Sequence, residues 1–137
     1  MILFADQERL KNWYIRRTGH QPSPVAHALG SGTEDEILGV FIYDGWNGAS
    51  CEMHMAGSEG WLTRQFLWAA FDYPFNQCGL SVVYTVISSA NTRSLKIVKG
   101  FGAKILATIR DGHPDGDLHI VTLYKDDCRW LKEKRYG

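Results

Sequence analysis

Hydrophobic and polar positions alternate along this chain in two different rhythms. From Asp6 to about Thr18, Leu10, Trp13, Tyr14 and Arg17 recur at i, i+3, i+4 and i+7, the spacing of one face of an amphipathic helix. Asp6 is placed to cap its start. Gly19, Pro22 and Pro24 end it. "VAHALGSG" and "EILGVFIYDGWNG" then read as two strands joined through "GSGTED". Asp44-Gly45 and Asn47-Gly48 are turn dipeptides that close the second strand. "ASCEMHMAG" reads as a third strand that begins a parallel crossover.

The helical rhythm returns in "EGWLTRQFLWAAFDYPFNQCG", where Leu62, Phe66, Ala69, Ala70 and Tyr73 share a face and Pro74 ends the regular part. "LSVVYTVISS" is a continuous β-branched run, which suits a strand buried on both faces. A short helix "TRSLKIVK" follows, with Asn91 as its cap and Leu95, Val98 and Phe101 as its buried stripe. "AKILATIRDG" and "DLHIVTLYKDD" make a hairpin through the loop "RDGHPDGD", and "CRWLKEK" is a short C-terminal helix or tail. The order α, β, β, β, α, β, α, β, β predicts an α/β (α+β) fold. Its central sheet is mixed and mostly antiparallel, with one parallel pair and flanking helices.

Composition narrows the function classes. The chain has 137 residues, read as a single domain over 1–137, with 45% hydrophobic and 22% charged residues. A net charge of +0 disfavours sequence-independent nucleic-acid binding. No apolar run reaches the roughly 18 residues of a membrane span. "MILFADQERL" lacks the basic start of a signal peptide. Cys51, Cys78 and Cys128 are odd in number and widely spaced, so neither a disulfide framework nor a metal site is expected, and a reducing, cytoplasmic setting is.

One strand carries candidate chemistry. Period two puts Glu52, His54 and Ala56 on one face of "CEMHMAG", and Cys51, Met53 and Met55 on the other. A histidine and a carboxylate two residues apart share a cleft or a solvated face, and histidine titrates near neutral pH. Met53 and Met55 read as core.

The stretch "FNQCGLSVVYTVISSANTRSLKIVKGFGAKILATIRDG" resembles the GNAT superfamily of acyl-CoA N-acyltransferases, in particular the ribosomal-protein-acetylating branch and its bacterial and phage relatives. The resemblance rests on Phe75, Gly79, the strand Ser81–Ile87, Asn91, Ser94, Gly102 and Arg110-Asp111-Gly112 in that order, and covers about Glu36 to Leu131. It implies acetyl transfer from acetyl-CoA to a primary amine: a protein N-terminus, a lysine or a small amine. It implies that strands Ser50–Ala56 and Ser81–Ser88 splay apart to admit the pantetheine arm. The backbone of Met53 and Met55, with Asn91 and Ser94, would line that wedge. A helix starting near Gly60 would receive the pyrophosphate, through Gly57, Gly60, Trp61, Leu62, Thr63 and Arg64. Glu52 or His54 would be the general base. Arg93, Lys96 and Lys99 face the phosphates or solvent.

Two positions depart from the family pattern. Aligned on Gly60, its Arg or Gln, then Gly, then Gly or Ala become Met55, Ser58 and Gly60, and Glu59 adds a negative charge. The tyrosine that many members carry seven residues after the asparagine is Val98 here, so no general acid stands at that position. Tyr43, Tyr84 and Tyr124 are unplaced, and Trp46, Trp61 and Trp68 read as core or pocket wall. These departures keep a second reading open: a catalytically degenerate GNAT-fold binding or interaction module. With one helix ahead of the first long strands, the acceptor side is pared down or completed by a homodimer partner.

Overall fold

The computed structural model describes residues 1–132. The part of the expected C-terminal helix from residue 133 onward lies outside them. A two-residue strand β1 (Ile2–Leu3), which the sequence pattern does not announce, precedes helix α1 (Gln7–Thr18). There follow β2 (His27–Gly32), β3 (Ile37–Asp44), β4 (Ser50–Gly57), α2 (Arg64–Asp72), β5 (Val82–Ser88), α3 (Thr92–Phe101), β6 (Lys104–His113) and β7 (Gly116–Tyr124). The strands form one sheet in the order β1-β2-β3-β4-β5-β7-β6. Every neighbouring pair is antiparallel except β4 and β5. This is the mixed, mostly antiparallel sheet with flanking helices that the pattern predicts.

The helix ends follow from their residues. The Asp6 carboxylate accepts from Arg9 N–H at 3.1 Å and caps α1. Gly19, at φ 72°, closes the helix in the left-handed conformation that glycine adopts without a Cβ penalty. Asn91 caps α3 through its side-chain oxygen and Gly102 ends it at φ 99°. The crossover helix starts later than expected. Thr63, not a residue near Gly60, is the N-cap, and its hydroxyl accepts from Phe66 N–H. Threonine has a hydroxyl that accepts a free N–H of the first turn and glycine has none, which favours a start after Thr63. Pro74 lies in a single π-turn (Tyr73–Gln77) that leads out of α2.

Two cores sit on opposite faces of the sheet. Phe41, Met53, Val83 and Val121 meet α2 and α3 on one face. Val40 and Ile42 meet Leu10 and Tyr14 of α1 on the other. Helix α1 packs chiefly on β2, β3 and β4. The second face of β5 is therefore not buried as its β-branched run suggests: Val86 is 41% exposed, and Ile109 of β6 is 49% exposed. A run of β-branched residues does not distinguish a strand buried on both faces from one whose second face is left bare. The hairpin loop is also tighter than expected. Asp111, at φ 56°, and Gly112 fall within an irregular stretch of β6, leaving Pro114-Asp115 as the turn.

Trp61 explains two glycines. Its indole lies flat against the sheet, 4% exposed. A Cβ on Gly39 would stand 2.0 Å from its ring, and one on Gly57 would stand 2.2 Å from it. Both glycines thus have a packing task, to open a notch for the indole that leads into α2. Gly39→Ala should destabilise the fold by about 1–3 kcal/mol through overpacking. Urea unfolding checks this; an unchanged midpoint would mean the indole moves aside freely.

Candidate active site

The geometry of the site begins where β4 and β5 part. They pair at Ser50–Val82, Cys51–Val83 and Glu52–Tyr84, and at no later position. Beyond that, β4 follows β3 up to Gly57, and β5 follows β7 up to Ser88. Each strand keeps its antiparallel partner, and the twist of the sheet carries the two pairs apart. The edges of β4 and β5 that face each other then have no ladder partner among the described residues.

The gap holds a cavity of about 550 Å³, within the usual size of a small-molecule site. Met53, His54 and Met55 line it from β4, and Thr85 to Ser88 from β5. Asn91, Ser94 and Val98 close it from α3, and Tyr14 reaches it from α1. His113 and Asp115 approach from the β6–β7 turn, which is tied down where Ser89 Oγ accepts from Asp117 N–H at 2.9 Å.

The candidate residues fall into three groups. Met53, His54, Met55, Asn91 and Ser94 come together around the cavity. Glu52 stands beside it: its carboxylate meets His54 Nε2 at 3.1 Å but is not part of the cavity wall. The Gly57–Arg64 segment lies outside the wall as well, between the end of β4 and the start of α2. In that segment the Trp61 side chain is core, the Thr63 hydroxyl is engaged in the cap, and Gly60 adopts φ 79°. Glu59 is exposed. Arg93, Lys96 and Lys99 lie on the exposed side of α3.

His54 and Glu52 are mostly shielded, with side chains 19% and 24% exposed. A neutral His54 whose Nε2–H donates to the carboxylate keeps Nδ1 as its basic nitrogen. Two features around this pair escape the sequence pattern. The ring of His20 lies 4.6 Å from that of His54, tilted by 40°, and the Tyr14 hydroxyl is 3.0 Å from His20 Nδ1. Burial, with a contribution from the Glu52 charge, pushes the Tyr14 phenol up to about 12, so it keeps its proton and can donate. No periodicity marks His20. The available signal is that the residue after a C-cap glycine folds back over its own helix.

The tyrosines left unplaced by the sequence are now located. Tyr43 is core; burial raises its hydroxyl well above the usual range, and it donates to Ala70 C=O at 2.6 Å. Tyr84 forms the last β4–β5 pair beside Glu52, and burial followed by the Glu52 charge raises its hydroxyl. Tyr124 is exposed. No group of three or more metal-ligating side chains occurs among the described residues, and no helix among them is long and apolar enough to cross a membrane.

No family model and no curated protein matches the sequence. Solved structures do. The chain is similar to a spermidine N-acetyltransferase SpeG chimera from Vibrio cholerae and hSSAT, at TM-score 0.71 and 11% identity, over 96% of this chain and 98% of that one. It is similar to the ribosomal-protein-S5-alanine acetyltransferase from Vibrio fischeri, at TM-score 0.68 and 11% identity, over 93% and 94%. It is also similar to the Campylobacter jejuni N-acetyltransferase PseH in complex with acetyl coenzyme A, at TM-score 0.58 and 16% identity, over 75% and 70%. The fold is therefore that of the GNAT N-acetyltransferases.

Asp44 anchors the loop that brings His20 back towards the sheet. Its carboxylate accepts from Ser23 N–H at 2.8 Å and Ser23 Oγ–H at 2.6 Å. Partial burial opposes its charge, but these bonds, one from Gly45 N–H and nearby His54 outweigh that and lower the acid below 3.8. A lowered carboxyl stabilises the fold above its unfolded value, and that stabilisation is lost as pH falls through the folded one. Asp44→Asn should cost about 1 kcal/mol at pH 7, a value discounted for the exposure of the group. The difference from wild type should close as pH falls below the ordinary carboxylate range. Thermal melts across pH check it; a constant difference would assign the loss to shape rather than charge.

Proposed function

We propose that this protein is an acetyl-CoA-dependent N-acetyltransferase that acts on a primary amine. One observation carries the reading: two parallel strands part after three pairs, and a carboxylate-bound histidine stands at the wall of the opening. The residues fit the cosubstrate. An extended pantetheine arm, rich in amides, matches the unpaired backbone edge of β4 at Met53 to Met55, with Asn91 and Ser94 facing it from α3. Gly57, Gly60, Trp61, Leu62, Thr63 and Arg64 take the pyrophosphate, chiefly through backbone N–H groups ahead of α2, with the Arg64 guanidinium as the basic side chain.

Acetyl-CoA supplies an acyl carbon activated as a thioester. The chain's own residues handle the proton. Glu52 holds His54 so that Nδ1 is basic, and His54 takes the proton that the amine gives up, directly or through water. The new C–N bond forms as the C–S bond breaks, and the departing sulfur is protonated from solvent, since Val98 has no proton to give. The acceptor is a protein N-terminus, a lysine or a small amine.

Val98 also supports the second reading, a binding or interaction module without turnover. A buried valine lines the cavity where a proton donor would serve the leaving thiolate.

Thermal unfolding with and without acetyl-CoA tests the fit. At a hundred times its dissociation constant, a ligand adds about 2.7 kcal/mol of stability. An unmoved transition at millimolar acetyl-CoA would sink the enzyme reading. A shift without acetyl transfer to any of a panel of amines would select the module. For the enzyme, His54→Ala should lower kcat by roughly 10²-fold or more with acetyl-CoA binding kept, and Glu52→Gln should lower it less. Full activity in both variants would remove the base assignment.

A further inference from the structure

We infer that His20 is a positioning residue for His54, a second imidazole whose face holds the basic ring against the cavity. The consequence for rate rests on the acetyl-transfer reading; the geometry does not.

A ring held by one hydrogen bond still swings about that bond. His54 has such a bond at Nε2, to Glu52. What restricts the swing is the His20 ring, 4.6 Å away and tilted by 40°, with the Tyr14 ring at 6.5 Å on a further side. His20 is an exposed residue in the loop after α1, and an exposed loop histidine is ordinarily free to rotate. This one is fixed at three points. Its N–H donates to Thr18 Oγ1 at 3.1 Å, its Nδ1 meets the Tyr14 hydroxyl at 3.0 Å, and its ring stands edge-on to the Tyr14 ring at 5.8 Å and 88°. Gly19, left-handed at φ 72°, turns the chain so that residue 20 comes back over the last turn of α1. Tyr14 is itself buried in the core beneath α1. The chain of contacts therefore runs from a rigid core residue, through a loop histidine, to the ring that lines the cavity.

With the Tyr14 phenol as donor, a neutral His20 accepts at Nδ1 and carries its hydrogen on Nε2. Its contact with His54 is between aromatic rings 4.6 Å apart and tilted by 40°, which a flat ring without nitrogens can reproduce. That separates positioning from proton transfer.

The test uses His20→Ala and His20→Phe in the full chain, with two readouts. The first is the His54 Cε1–H signal by NMR, which feels the ring current of a stacked neighbour whether or not the protein is an enzyme. The second is steady-state acetyl transfer. His20→Ala should move the His54 signal and lower kcat about tenfold, less than the roughly 10²-fold that a full ångström of misplacement costs, with KM for acetyl-CoA and the thermal midpoint unchanged. His20→Phe should return both the signal and most of the rate. Tyr14→Phe, which removes only the hydroxyl that anchors His20, should give a smaller loss in the same direction, and it keeps the test decisive if His20→Ala folds poorly. A His54 signal that ignores His20→Ala would overturn the inference, as would a His20→Phe enzyme as slow as the alanine variant. If the wild type acetylates no amine, the function reading fails by itself, and the NMR arm still decides whether His20 holds His54.

Discussion

The whole arrangement depends on a contest between strand pairings. β4 is bound to β3 over six antiparallel pairs and β5 to β7 over seven, while β4 and β5 share only three parallel ones. Parallel ladders are the weaker kind and need a crossover connection, here α2 and its π-turn. The sheet opens along the seam that has the fewest pairs of the three. The gap is thus a result of ladder lengths, stabilised by neither β4 nor β5 itself. It leaves two backbone edges and a cavity, around which Met53, His54, Met55, Asn91 and Ser94 gather.

The two sides of the gap are built differently. On the α2–α3 side the walls are core: Phe41, Met53 and Val98 are buried, and Trp61 locks the segment after β4 into the notch at Gly39 and Gly57. On the other side the sheet has one helix. α1 packs chiefly on β2 to β4, so the polar contacts of Tyr14, His20, His54 and Glu52 lie at the boundary between a covered and a bare sheet face. A boundary of that kind suits proton transfer. It is dry enough for short contacts to count and close enough to water for a proton to leave.

How much of this the sequence discloses depends on whether a local rule decides the matter. Period two places Glu52 and His54 together because a strand has only two faces, and Asn91 reads as a cap because its side chain can accept where an alanine cannot. These are local, and the structure agrees. The start of α2 is not legible in the sequence, because a glycine turn and a helix entry look alike until it is known which side chain accepts the free N–H; Thr63 does. β5 was expected to be buried on both faces because a β-branched run does not report whether a second helix exists to cover it. His20 and the notch under Trp61 are wholly tertiary. One needs a left-handed Gly19 and a buried Tyr14, both far before His54 in the chain; the other needs two strands to offer missing Cβ atoms to one indole.

The groups around the gap are also unequal in what they can do with a proton. His54, tied to Glu52, offers a basic nitrogen. Of the tyrosines nearby, Tyr43 is committed to Ala70 C=O, Tyr14 meets His20, and burial holds the protons of Tyr14 and Tyr84 more tightly than in water. On the α3 wall the side chain at the cavity is Val98. Under the proposed function, proton acceptance from the amine is built into the fold, and proton donation to sulfur is left to water. A thiol is acidic enough to depart as thiolate near neutral pH without a dedicated donor, whereas an alkylammonium does not shed its proton at that pH unaided. On that reading, the half of the acid–base pair that is kept is the one the chemistry can least do without.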